Sequence, residues 1–162
     1  MIGENKSKEV WKALAEVKDP EIPVLSLVDL GVIREAKMDG ECVVVTMTPT
    51  FAGCPAMEQM KRDVLDVLRS KGFPNARVET ILSSSWSTDS IGVAAKEKLR
   101  AFGIAPPPKK LESLEATLTQ PVACPFCHST ETKLESSFGA TLCKQIYYCS
   151  HCSQSFERFK PL

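Results

Sequence analysis

Two short cysteine pairs limit what the C-terminal third of this chain can become. They are Cys124-Pro125-Phe126-Cys127 and Cys149-Ser150-His151-Cys152, with 21 residues between them. A Cys-x-x-Cys segment turns tightly enough for both sulfurs to reach one ion. Two such knuckles complete a closed tetrahedral site of four thiolates, a strong zinc signature, with a rubredoxin-like iron site as the alternative. Strand patterns at 131–136, 141–148 and 153–160 give the geometry of a zinc ribbon. About 40 residues cannot bury much core, so the metal is expected to supply folding free energy. His128, His151 and Cys143 lie close enough to compete as ligands. With four cysteines at this spacing they read as bystanders, and Cys143, alternating with Gln145 and Tyr147, stands as a fifth thiol.

Seven cysteines need a reason, and no 18-residue apolar run or signal-peptide core accompanies them. The expectation is a cytoplasmic chain away from membranes, whose cysteines bind metal rather than form disulfides. Formal net charge is zero, split as −1 up to residue 105 (14 basic, 15 acidic) and +1 beyond it (6 and 5). Neither part carries the basic surplus that phosphate-backbone binding needs, which argues against nucleic acid as a partner.

Upstream, residues 7–18 carry Val10, Trp11, Leu14 and Val17 at helical spacing, with Ser7 as cap. Asp19-Pro20-Glu21-Ile22-Pro23 stops that helix, because each proline pushes its predecessor out of the helical region. The two carboxylates then stand on a stiff turn. A strand ending near Met38, an Asp39-Gly40 turn and a strand over 42–48 predict a hairpin with both faces covered and Cys42 in the core. A second helix follows, with Met57, Met60, Val64, Val67 and Leu68 on one stripe and Gly72 closing it. Residues 77–82 read as a third strand. Ser90 to Phe102 reads as a last helix, capped by Thr88 or Asp89, with Ile91, Ala95, Leu99 and Phe102 inward.

The loop between hairpin and second helix, Thr48-Pro49-Thr50-Phe51-Ala52-Gly53-Cys54-Pro55, is the other chemical candidate. Pro55 suits the first helical position, which places Cys54 at or beside the N-cap. A thiol there faces unpaired N–H groups and the positive helix end, conditions that favour the metal-binding thiolate. Gly53 lets the loop turn sharply. The bland alternative is a buried cap. Serines 83–85 and 87 suggest a nucleophile, but no histidine precedes position 128, so a Ser/His/Asp triad cannot form in this half.

The fold class expected is therefore α+β, a small mixed sheet packed with helices, followed by a small β zinc ribbon. The domains are expected at 1–104 and 121–162, with Pro106-Pro107-Pro108 opening a polyproline-type linker over 105–120.

Residues 19–23, Val28-Asp29-Leu30-Gly31-Val32-Ile33, the Thr48–Pro55 loop and Trp86-Ser87-Thr88-Asp89 together resemble the iron–sulfur cluster assembly domain. That domain occurs in bacterial Suf-system accessory proteins and in the eukaryotic cytosolic iron–sulfur targeting factor. With Arg100-Ala101-Phe102-Gly103-Ile104-Ala105-Pro106-Pro107 and the ribbon's residues 138–144, the whole chain resembles the D subunits of the ring 1,2-phenylacetyl-CoA epoxidase system of bacterial phenylacetate breakdown.

The resemblance implies an accessory or maturation subunit of a multicomponent oxygenase rather than a catalyst. Its partners would be the di-iron oxygenase and the flavin and iron–sulfur reductase, with homodimerisation left open. Cys54 would be the family's loop cysteine and working thiol, transiently holding iron or an iron–sulfur cluster, with Asp19 and Glu21 in the Asp-Pro-Glu motif as possible carboxylate ligands, and zinc would be structural. A scaffold without metal transfer is the alternative. Such subunits often end Phe-Lys-Cys-Ile; Phe159-Lys160-Pro161-Leu162 departs from this, so no role for a terminal cysteine carries over.

Overall fold

A computed structural model describes residues 2–51, 53–82, 86–108, 113, 115 and 120–161. The serines at 83–85 and most of the expected linker, 109–119 apart from 113 and 115, lie outside the described residues. The chain divides into two compact units, Met1–Trp86 and Ser87–Leu162.

In the first unit, helix α1 (Ile2–Leu14) begins upstream of Ser7, so Ser7 is an interior residue and not its cap. Val10 and Leu14 are buried as the spacing requires, while Trp11 is half-buried; α1 ends at Leu14, short of the expected residue 18, and Val17 is buried beyond the helix. Strand β1 (Ile33–Asp39) pairs antiparallel with β2 (Cys42–Met47) through the Asp39-Gly40 turn, where Gly40 has φ +62°. A bulge between Ile33 and Glu35 takes up one residue of register. Helix α2 (Met57–Ser70) then carries the chain over to β3 (Ala76–Thr80), which lies parallel to β2, giving sheet order β1-β2-β3.

Val43 to Met47 are all buried, because β2 is the central strand and both its faces are covered. Cys42 is not core, contrary to expectation. It sits at the strand's first position, half-buried, with Arg77 Nη1 at 3.6 Å from its sulfur.

The α2 stripe of Met57, Met60, Val64 and Leu68 is buried, with Val67 at its margin. The helix closes on Gly72 (φ +90°), where Phe73 N–H reaches Leu68 O at 2.9 Å and Gly72 N–H reaches Arg69 O at 3.2 Å. This is a Schellman closure.

The second unit opens with a 3-10 turn (Thr88–Ser90) and helix α3 (Val93–Ala101), capped by Gly92. Thr88 and Asp89 therefore do not cap it, since the chain leaves the 3-10 turn in extended geometry at Ile91 before the helix starts. Ile91, Ala95 and Leu99 are inward, but Phe102, the C-cap of α3, is 51% exposed, contrary to expectation.

Strand β4 (Ile104–Ala105) pairs parallel with β7 (Gln154–Phe159), which neighbours β6 (Lys144–Cys149), itself next to β5 (Thr132–Ser136). The sheet order is β4-β7-β6-β5. Residue 105, the expected start of the linker, thus belongs to a buried strand, and Pro107 is buried as well.

Candidate metal centre and thiol loop

The ribbon strands bring the four knuckle cysteines together. Their sulfurs all lie within 4.8 Å of one another, with Cys124 and Cys152 at 3.7 Å and Cys127 and Cys149 at 3.6 Å. A tetrahedron with metal–sulfur bonds of about 2.3 Å has edges of about 3.8 Å, so the donor set fits one four-coordinate ion. Cys124 and Cys149 are fully buried and Cys127 and Cys152 half-buried, packed with Val122, Tyr147 and Phe156.

Both knuckles are built alike. His128 N–H donates to Cys124 O and Ser153 N–H to Cys149 O, each at 2.9 Å. To close these turns, His128 (φ +63°) and Ser153 (φ +58°) adopt the left-handed region, and they are the two non-glycine residues that do so among the described residues.

The thiols do not ionise equally. Burial pushes Cys149 up, but N–H groups of Cys152 and His151 and the neighbouring thiols hold it down at about 7. Burial and hydrogen bonds from Cys127, Cys124 and Cys149 push Cys152 up to about 12. Of these two thiols, Cys149 is the first to lose its proton. A bound cation would deprotonate all four.

Cys143 lies outside the cluster and precedes β6 rather than lying on it. It is buried, with Thr141 Oγ1 at 3.1 Å from its sulfur. His128 and His151 are exposed, so none of the three competes as a ligand here.

In the first unit, Cys54 is half-buried and precedes α2 by more than the expected step. Pro55 and Ala56 form a turn in which Met57 N–H reaches Cys54 O at 3.3 Å, and Ala56 is the N-cap. Cys54 therefore stands two residues before the cap, rather than at it or next to it. Gly53 has φ +80°, the left-handed conformation expected of the turn.

Asp19 is 8% exposed, and its Oδ1 accepts the N–H groups of Glu21 and Ile22, each at 2.8 Å. It organises the proline turn, leaving Glu21 as an exposed carboxylate on it. Asp19 also lines a groove with Asp63, Asp66 and Val67 of α2. Those positions begin six residues into α2, about 9 Å along its axis from the end that Cys54 precedes. Among the described residues, the four knuckle cysteines are the one group of three or more candidate metal ligands whose donor atoms lie close enough to share an ion.

Two further motif residues have structural duties. Ser26 and Asp29 cap each other reciprocally, Asp29 N–H to Ser26 Oγ at 2.9 Å and Ser26 N–H to Asp29 Oδ2 at 3.0 Å. Buried Trp86 donates its Nε1–H to Leu30 O at 2.8 Å. No helix of the described residues is long and apolar enough to cross a membrane.

Comparison with known proteins bears on both halves. Residues 7–82 match the family model for the iron-sulfur cluster assembly protein, and 108–160 match that for the PaaD zinc beta ribbon domain. The chain is 41% identical to the Escherichia coli protein named as the D component of 1,2-phenylacetyl-CoA epoxidase, over 94% of this chain and 91% of that one. It is 32% identical to an Fe-S protein maturation auxiliary factor of Porphyromonas gingivalis, over 57% of this chain and 89% of that one. Among solved structures, a domain of unknown function (DUF59) from Bacillus anthracis aligns with a TM-score of 0.57 at 29% identity. It covers 61% of this chain and 95% of that one.

Proposed function

Because the chain belongs to the family of 1,2-phenylacetyl-CoA epoxidase D subunits, we propose that it is an accessory subunit that helps place iron or an iron–sulfur cluster in its partners. Those partners are the oxygenase and reductase subunits of a phenylacetyl-CoA epoxidase, in the cytoplasm. The observation that carries this reading is the co-occurrence in one chain of an iron–sulfur assembly domain, matched over 7–82, with full-length likeness to an epoxidase subunit.

Cys54 is the thiol we assign to the work. It is half-buried rather than sealed in the core, and it sits after Gly53 at the entrance to α2. Iron or a cluster is the cargo it holds while passing it on. Glu21 is exposed and offers a hard oxygen ligand to a passing ion, while Asp19 holds the turn that presents it.

The four-cysteine site is assigned to structural zinc, held by Cys124, Cys127, Cys149 and Cys152. Four protein thiolates leave no open position for substrate or water, which suits stabilisation rather than catalysis. A scaffold role without metal transfer is the second reading. It is favoured by the distance along α2 between Cys54 and the Asp19 groove.

The test is the iron and acid-labile sulfide content of the partner oxygenase and reductase purified from cells with and without this chain. A maturation factor predicts partners depleted of iron when the chain is missing. Fully metallated but unassembled partners would establish the scaffold instead.

A further inference from the structure

Two cations are buried among the described residues. Lys144 is paired with Glu157 at 2.7 Å. Arg158, 3% exposed, has no carboxylate among the described residues. Its Nη1 donates to Tyr147 Oη at 2.9 Å, its guanidinium carbon stands 5.5 Å from the centre of the Tyr147 ring, and its Nε has no hydrogen-bond partner among the described residues. A phenol and a ring face are modest partners for a full charge taken out of water, where the desolvation cost is several kcal/mol per ion. A second orphan lies beside it. Gln145, directly opposite Arg158 in the β6–β7 register, has a buried Oε1 without a partner.

Arg158 also lines a cavity of about 170 Å³ within the second unit. A second cation, exposed Arg100 from the last turn of α3, lines the same cavity, with Pro106, Pro108, Pro121 and Val122 among its walls. Proline contributes no N–H, so among the described lining residues the two guanidinium groups are the charged donors, with the Gln120 amide in the same wall. Arginine's planar fork matches carboxylate and phosphate oxygens. The volume holds several waters at about 30 Å³ each, hence a compact anionic head, and falls below the roughly 300–1,000 Å³ of sites that enclose drug-sized ligands.

We propose that this cavity binds a small oxyanion, a carboxylate or phosphate head, between Arg158 and Arg100. The anion supplies the counter-charge that Arg158 lacks. None of the four knuckle thiols lines the cavity, and the site is independent of the maturation role.

The experiment is calorimetric titration of the full-length, metal-loaded chain with inorganic phosphate and, separately, acetate, at ionic strength held constant with chloride. Thermal unfolding is followed in parallel. Saturable binding of one or both is expected, with an unfolding temperature raised beyond that in matched chloride. Phosphate alone binding assigns a phosphate head, and acetate alone a carboxylate. Arg100→Gln, at an exposed position, should fold normally and weaken binding about tenfold or more, as loss of a charge-assisted hydrogen bond does. Arg158→Lys keeps the charge but loses the fork, and should weaken binding comparably. Absence of saturable binding, or equal binding by both variants and wild type, overturns the proposal and leaves a buried water between Arg158 and Gln145 as the occupant.

Discussion

Glycine at His128 or Ser153 should tighten metal binding, although glycine in a folded chain usually destabilises it. Both residues hold positive φ (+63° and +58°) so that their N–H groups can close the knuckles on Cys124 O and Cys149 O. An L-residue in that region costs roughly 1–2 kcal/mol. Among the described residues neither side chain makes a hydrogen bond that would offset this, and both are exposed. Glycine removes the penalty but returns about 0.5–1 kcal/mol through the entropy of the unfolded chain. The net gain is about 0.5–1 kcal/mol per site, or roughly a two- to fivefold increase in apparent affinity. Histidine tolerates the left-handed region better than serine, so Ser153→Gly should gain more than His128→Gly.

The assay is zinc competition against a chromophoric chelator at fixed pH, with folding followed in the same titration. Ser150→Gly is the control, because Ser150 has no positive φ. It should weaken binding slightly. If all three glycine variants weaken binding alike, the knuckle strain is not real and the reasoning fails.

Three other outcomes follow from the same geometry. Cys149→Ser should abolish zinc retention, and a strong chelator should unfold the wild-type ribbon while β1–β3 persist, seen as partial loss of circular dichroism; a ribbon that survives chelation would show that metal does not hold it. Zinc binding should release more protons at pH 6 than at pH 8, because the Cys149 thiol, held at about 7, is protonated below that value and ionised above it. Calorimetry in two buffers of different ionisation enthalpy reads the difference, and equal release would contradict the assigned order of ionisation. Trp86→Phe should cost about 1–3 kcal/mol in denaturant unfolding, because Leu30 O loses its buried donor; a neutral change would mean that Leu30 O finds water instead.

What the sequence reveals here is local. Two Cys-x-x-Cys pairs and three flanking strands can be read because each knuckle is a turn of four residues, and the strands need only alternate. The α2 stripe and its Gly72 closure are equally legible, since helix periodicity and a left-handed stop both lie within a few turns of chain.

Features that depend on distant partners are not legible. Ile104–Ala105 is too short to show a period, and only β7 makes it a strand. Cys42 has an apolar strand's context, yet Arg77 from β3 meets its sulfur at the strand's first position. Phe102 continues the α3 pattern after the helix has ended. Asp19 and Glu21 look alike in sequence, and only the folded turn separates them: two backbone N–H groups take one Asp19 oxygen, while Glu21 faces solvent. The Arg158 position gave no signal at all, because a lone arginine on a strand normally faces water; only the pairing of β7 between β4 and β6 buries it.

The most direct test of the proposed role is iron transfer in vitro. Iron-depleted oxygenase and reductase would be incubated anaerobically with ferrous iron and sulfide, with either wild-type chain or Cys54→Ala, and the iron and sulfide they acquire measured over time. The maturation role through Cys54 predicts faster or fuller loading with wild type, and with Cys54→Ala only the rate seen with no chain added. Equal loading by wild type and Cys54→Ala would contradict it, leaving Cys54 a loop residue and the chain a scaffold.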